Sequence, residues 1–91
     1  MNNLKSIEHA VGSIGILNFQ TVSLLKLAVA VSKSDESQIR AITQLCLDQN
    51  ISQSAIYHAI MSLTDVVALH DVMKAVLIAD SVINCFRRKA V

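Results

Sequence analysis

The sequence predicts an all-α protein, and three observations lead there. Proline is absent and only two glycines occur, Gly12 and Gly15. Strand-rich folds need frequent turn residues between short strands, and after Gly15 almost none are on offer. Apolar residues recur at three- and four-residue spacing over most of the chain, the period of one helix face. The polar breaks between those stretches, Ser32 to Ser37 and Asn50 to Ser52, carry residues that start and stop helices. The expected architecture is a small bundle of four to five helices in one domain over residues 1–91, completed by homodimerisation. The last element of that expectation comes from surface arithmetic. A chain this short buries about 60–65% of the surface its unfolded form exposes. Yet 53% of its residues are apolar and 16% charged, against about 25% charged in a typical soluble domain. A second copy is the commonest cover for such an excess.

The elements follow in order. Leu4, Ile7 and Val11 fall on one side of a short first helix, but the two glycines interrupt it, each costing about 1 kcal/mol relative to alanine. Residues 1–16 are therefore read as a short helix or a loose segment. Leu17 to Val31 forms the second helix, with Asn18 as its cap. Phe19, Val22, Leu24, Leu25, Leu27, Ala28, Val29 and Val31 surround its axis, which suits a helix central to a core or an interface. One lysine, Lys26, is a poor polar face for a helix lying on a membrane. Residues 32–37 are the linker, and Ser34 or Asp35 caps the third helix, Glu36 to Asp48. Asn50 takes the left-handed conformation that ends it. Ser52 caps a fourth helix with the stripe Ile56, Ala59, Ile60 and Leu63. Thr64 or Asp65 opens a fifth that reaches Phe86, where Arg87, Arg88 and Lys89 suit the negative helix end. On this fifth helix Leu69, Val72, Val76, Ala79, Ile83 and Phe86 alternate by three and four, the spacing of a coiled-coil seam. These six are the expected self-association residues. Val66, Met73, Leu77, Ile78 and Val82 lie off the line, so the helix has apolar residues for more than one neighbour.

Charge and residue spacing exclude several function classes. A net charge of +1 gives no bulk attraction to nucleic acid or anionic lipid. The longest unbroken apolar runs, Leu27 to Val31 and Ala75 to Ala79, are far below the roughly 18 residues of a membrane span, so no transmembrane segment is expected. Met1 to Glu8 lacks the basic-then-apolar pattern of a secretory signal, and a reducing cytoplasm is the expected location. Cys46 and Cys85 fall on apolar stripes without a histidine beside either, so both are expected as core thiols rather than nucleophiles. His9, His58 and His70 do not have metal-site spacing. No catalytic residue, metal ligand or cofactor is expected. Asp80, beside the fifth-helix seam, is expected to meet a basic residue across an interface or to face water.

Leu45 to Ile60 invites a helix-turn-helix reading, with Asn50 at the turn. Gln53, Ser54, Tyr57 and His58 would then be the side chains that reach base edges. Against it, no lysine or arginine occurs between Arg40 and Lys74, while Asp48, Asp65 and Asp71 give residues 41–73 a formal charge of −3. Phosphate neutralisation supplies nearly all non-specific DNA affinity. Nucleic acid is therefore the disfavoured partner.

Glu36-Ser37 opening a helix, Ile60-Met61-Ser62-Leu63 closing another, and Asp71-Val72-Met73-Lys74 leading into Val76-Leu77 resemble the AriR-like enterobacterial regulators of biofilm development and acid resistance. The resemblance covers roughly residues 36–83. It implies a small helical dimer that acts in a regulatory circuit through protein contacts, with no catalytic residues to carry over. The expected function is thus a non-enzymatic regulatory or adaptor protein that binds itself or a protein partner. The alternatives are a helix-turn-helix regulator and a secretion-type chaperone masking a partner's helix.

Overall fold

The computed structural model describes residues 19–90, and these fold as an all-α bundle. Its helices are α1 (Phe19–Ser32), α2 (Glu36–Asp48), α3 (Gln53–Met61) and α4 (Leu69–Ala90), with a 3₁₀ turn at Ser62–Asp65. The expected helix at Leu4 to Val11 and the Asn18 cap lie outside the described residues.

Helix α2 packs mainly against α1 and α4, and α3 packs against both of those helices. Its start is set by Asp35, whose carboxylate accepts from the Gln38 amide at 3.2 Å and from the Ser37 hydroxyl at 3.0 Å. This satisfies one of the first-turn donors that no helix can pair internally. Ser52 does the same for α3, accepting from the Ala55 amide at 3.1 Å.

Helices α1 and α2 end alike. Asn50 has φ 62°, its amide donates to Leu47 O at 3.0 Å, and Ile51 donates to Cys46 O at 3.0 Å. Ser34 has φ 53°, its amide donates to Val31 O at 2.9 Å, and Asp35 donates to Ala30 O at 3.1 Å. Both are Schellman closures built without glycine. The turn at Asn50 was legible. Ser34 is not a cap but the left-handed residue, and the break between helices is only residues 33–35, because α1 continues through Ser32 and α2 begins at Glu36.

The core is drawn from all four α-helices and the turn after α2: Leu27 and Val31 of α1, Ile39, Cys46 and Leu47 of α2, Ile51 of the turn, Ile56 and Ile60 of α3, and Val72, Ala79 and Ile83 of α4. Each fully buried leucine or isoleucine contributes about 1.5–3 kcal/mol. Thr43 is buried among them and satisfies its hydroxyl by donating to Ile39 O at 2.6 Å. Two polar contacts join α1 to the end of α2. The Ser23 hydroxyl donates to Gln49 Oε1 at 2.6 Å, and the Gln20 amide donates to Gln49 O at 3.2 Å.

The last helix starts later than Thr64 or Asp65. Residues 62–65 close as a 3₁₀ turn, and Val66 and Val67 both donate to Leu63 O. Leu63 and Val67 pack against the core, which bends the chain off one axis before α4 begins at Leu69.

Candidate interaction surfaces

The line expected to join two chains is largely the inner edge of α4. Val72, Ala79 and Ile83 are buried, Val76 and Phe86 are half-buried against the core, and of the six only Leu69 is exposed. The periodicity located a packed stripe correctly but not its partner. Helices α2 and α3 of the same chain reach this face and cover it.

A different line on α4 stays open. Leu69, Met73 and Leu77 recur at four-residue spacing and are all exposed, Leu77 by 68%. Val66, just ahead of the helix, is exposed with them. Polar neighbours of both signs accompany this ridge, including Lys74 and Asp80.

A second apolar surface lies between α1 and α2. Val22, Leu25 and Val29 are exposed on α1, Leu25 by 61%. They form one wall of an open groove of about 780 Å³, whose other wall is Gln38, Ile42 and Leu45 of α2. Lys26 and Lys33 line the groove, with Asp35 at the turn. Phe19 stands exposed one turn ahead of Val22. Helix α1 is therefore apolar on two opposed sides, with Leu27, Ala30 and Val31 in the core and Val22, Leu25 and Val29 outside it.

The four residues considered for base reading all fall on α3. Ser54 and His58 are exposed, while Gln53 and Tyr57 are half-buried. Tyr57 is engaged within the chain, its hydroxyl donating to the Asp80 carboxylate of α4. Burial first, and then Asp80, push the Tyr57 phenol up to about 12, with Arg87 acting in the opposite sense. Asp80 thus meets a phenol rather than a cation or water alone. A carboxylate beside α3 also opposes the approach of phosphates to that helix.

The two cysteines part company. Cys46 is buried, and burial pushes its thiol up against a smaller lowering by a backbone hydrogen bond. Cys85 is exposed, which corrects the expectation of a core thiol. Ile83 and Phe86 face inward, and Cys85, one residue from Phe86, is rotated about 100° away from it. His58 and His70 are exposed, and His9 lies outside the described residues. Among the described residues no group of three or more His, Cys, Asp or Glu could hold a metal ion, and no helix is long and apolar enough to cross a membrane.

Comparison with protein-family models, curated proteins and solved structures finds no match to this chain.

Proposed function

We propose that this protein is a non-enzymatic helical regulator or adaptor that works as a homodimer, joined through the ridge Leu69, Met73 and Leu77 of α4. The exposure of that ridge is the observation behind the reading. Residues spaced by four form the ridge that packs into the groove of a like helix, the commonest helix–helix geometry. Around a two-fold axis such a ridge meets its own image. Charges of both signs flank it, so a second copy is not repelled. The resemblance to AriR-like regulators implies the same assembly and the same dependence on protein contacts.

Light scattering in dilute solution tests this. The parent should have twice the chain mass, and Leu77→Asp should have the single-chain mass with the helical circular-dichroism signal retained. Leu77 lies outside the core, so the aspartate loads the interface and not the fold. A parent of single-chain mass, or a Leu77→Asp variant that stays dimeric, overturns the proposal.

A further inference from the structure

The α1 wall of the groove carries an apolar line and a line of positive charge side by side. Val22 and Val29 stand seven residues apart with Leu25 between them, and each is followed four residues on by a lysine that also lines the groove, Lys26 and Lys33. Seven residues are close to two full turns, so each pair keeps to one line along the helix and spans about 10.5 Å. We propose that this groove docks an amphipathic helix of a partner protein, one whose apolar stripe is flanked by carboxylates two turns apart. The inference adds a partner of stated chemistry to the adaptor reading. It uses a face separate from the α4 ridge and does not depend on the dimer.

Charge selects this occupant. Lys26 and Lys33 are exposed, and the ion pair found among the described residues, Arg40 with Glu36, uses neither. Asp35 is the only acid among the described residues that line the groove. Its carboxylate already accepts from the Gln38 amide and the Ser37 hydroxyl at the start of α2. The groove therefore offers two cations beside an apolar wall. A helix with acids at positions i and i+7 meets both while its apolar residues face Leu25, Ile42 and Leu45. Shape disfavours two other occupants. A flat lipid surface would touch the exposed Phe19 and Leu25 but would not reach half-buried Ile42 between the walls. A second copy presenting the same groove would set hollow against hollow and bring lysines towards lysines. A convex helix fills the hollow, as in other cases where an apolar helix face lies in a groove.

Two synthetic helical peptides test this with the full chain. Both carry leucines at positions i, i+3, i+4 and i+7. One has glutamates flanking that stripe seven residues apart, and its twin has lysines in their place. By fluorescence anisotropy the glutamate peptide should bind at least about tenfold more tightly than the twin, a ratio equivalent to about 1.4 kcal/mol, and added salt should narrow the ratio. Lys26→Glu with Lys33→Glu should reverse the preference, and Leu25→Asp should abolish binding of both peptides. All three side chains lie outside the core, so the helical circular-dichroism signal should be retained. Equal affinities for the twins, a preference that survives the charge reversal, or no binding of the glutamate peptide overturns the proposal. Binding to vesicles of anionic phospholipid that Leu25→Asp abolishes would assign the groove to a membrane. A lower mass for Leu25→Asp than for the parent in light scattering would assign it to a second copy. Either result overturns the proposal. Leu77→Asp should bind the glutamate peptide as the parent does, so a failure of the α4 dimer is read separately from a failure here.

Discussion

Helices α1 and α4 share an unusual property: each has one apolar line inside the bundle and another outside it. On α1 the outer line is one wall of a groove, because α2 rises beside it with Ile42 and Leu45. On α4 the outer line stands clear as a ridge of Leu69, Met73 and Leu77. A groove can take a segment between two walls, and a ridge can pack against another helix. The same helical periodicity therefore produces two surfaces suited to different occupants, and the arrangement of neighbours decides which is which.

The sharpest way to break this comparison lies within α4. Ile83→Ala, on the inner line, should cost about 2–5 kcal/mol in chemical denaturation, as large-to-small changes at buried sites do. Leu77→Ala, measured at a dilution where chains are monomeric, should stay within about 0.5 kcal/mol. Equal costs would mean that the outer line is also buried in the monomer, and the distinction between ridge and core would fail.

A smaller effect bears on α1, whose groove geometry depends on the tight turn into α2. Ser34 adopts φ 53° there without being glycine. Ser34→Gly should stabilise the chain by ~0.5–1 kcal/mol, the left-handed penalty less the freedom that glycine adds to the unfolded state. Asn50→Gly should gain less, since asparagine tolerates this conformation. Denaturant midpoints for the pair would show whether the α1–α2 turn is the more strained of the two. A loss of stability in Ser34→Gly would show that the serine is not under strain.

The smallest effect concerns the tie between α3 and α4. Tyr57 is the only tyrosine and tryptophan is absent, so near-ultraviolet titration reports this phenol alone. Its midpoint should lie near 12 in the folded chain, against 10 for the ordinary phenol. The folded state keeps a proton that the unfolded chain releases, so this contribution to stability is complete below pH 10 and is lost as pH rises from 10 towards 12. Asp80→Asn should lower the midpoint part of the way, because burial is the larger cause. An unchanged midpoint would mean that Tyr57 does not face α4.

Much of the fold was legible because helix ends are local chemistry. Asp35, Asn50 and Ser52 each act within a few residues of themselves, and the bounds of α2 and the start of α3 followed. The direction of each apolar line was not legible. On α1 and α4 the apolar residues occupy opposed arcs, and periodicity identifies a line without saying what faces it. Periodicity alone therefore points the α4 seam at a partner, whereas Val72, Ala79 and Ile83 belong to the core. The same limit applies to Cys85, which lies between inward-facing Ile83 and Phe86 in sequence and is itself exposed. The groove and the Tyr57–Asp80 bond had no local signal at all. Both depend on helices brought together from distant parts of the chain.

The bond between Ser23 and Gln49 has a consequence for how α1 is seated. With apolar side chains on opposed sides, α1 could roll about its own axis and bury Leu25 in place of Leu27 at little difference in hydrophobic energy. Two such seatings would be nearly degenerate, and packing alone would choose poorly between them. The Ser23 hydroxyl biases that choice, because the observed seating brings it to the Gln49 carboxamide, and a net intramolecular hydrogen bond contributes about 0.5–1.5 kcal/mol. A single small polar atom thus tilts a rotationally ambiguous helix towards one orientation, and with it which of its two apolar sides faces the groove.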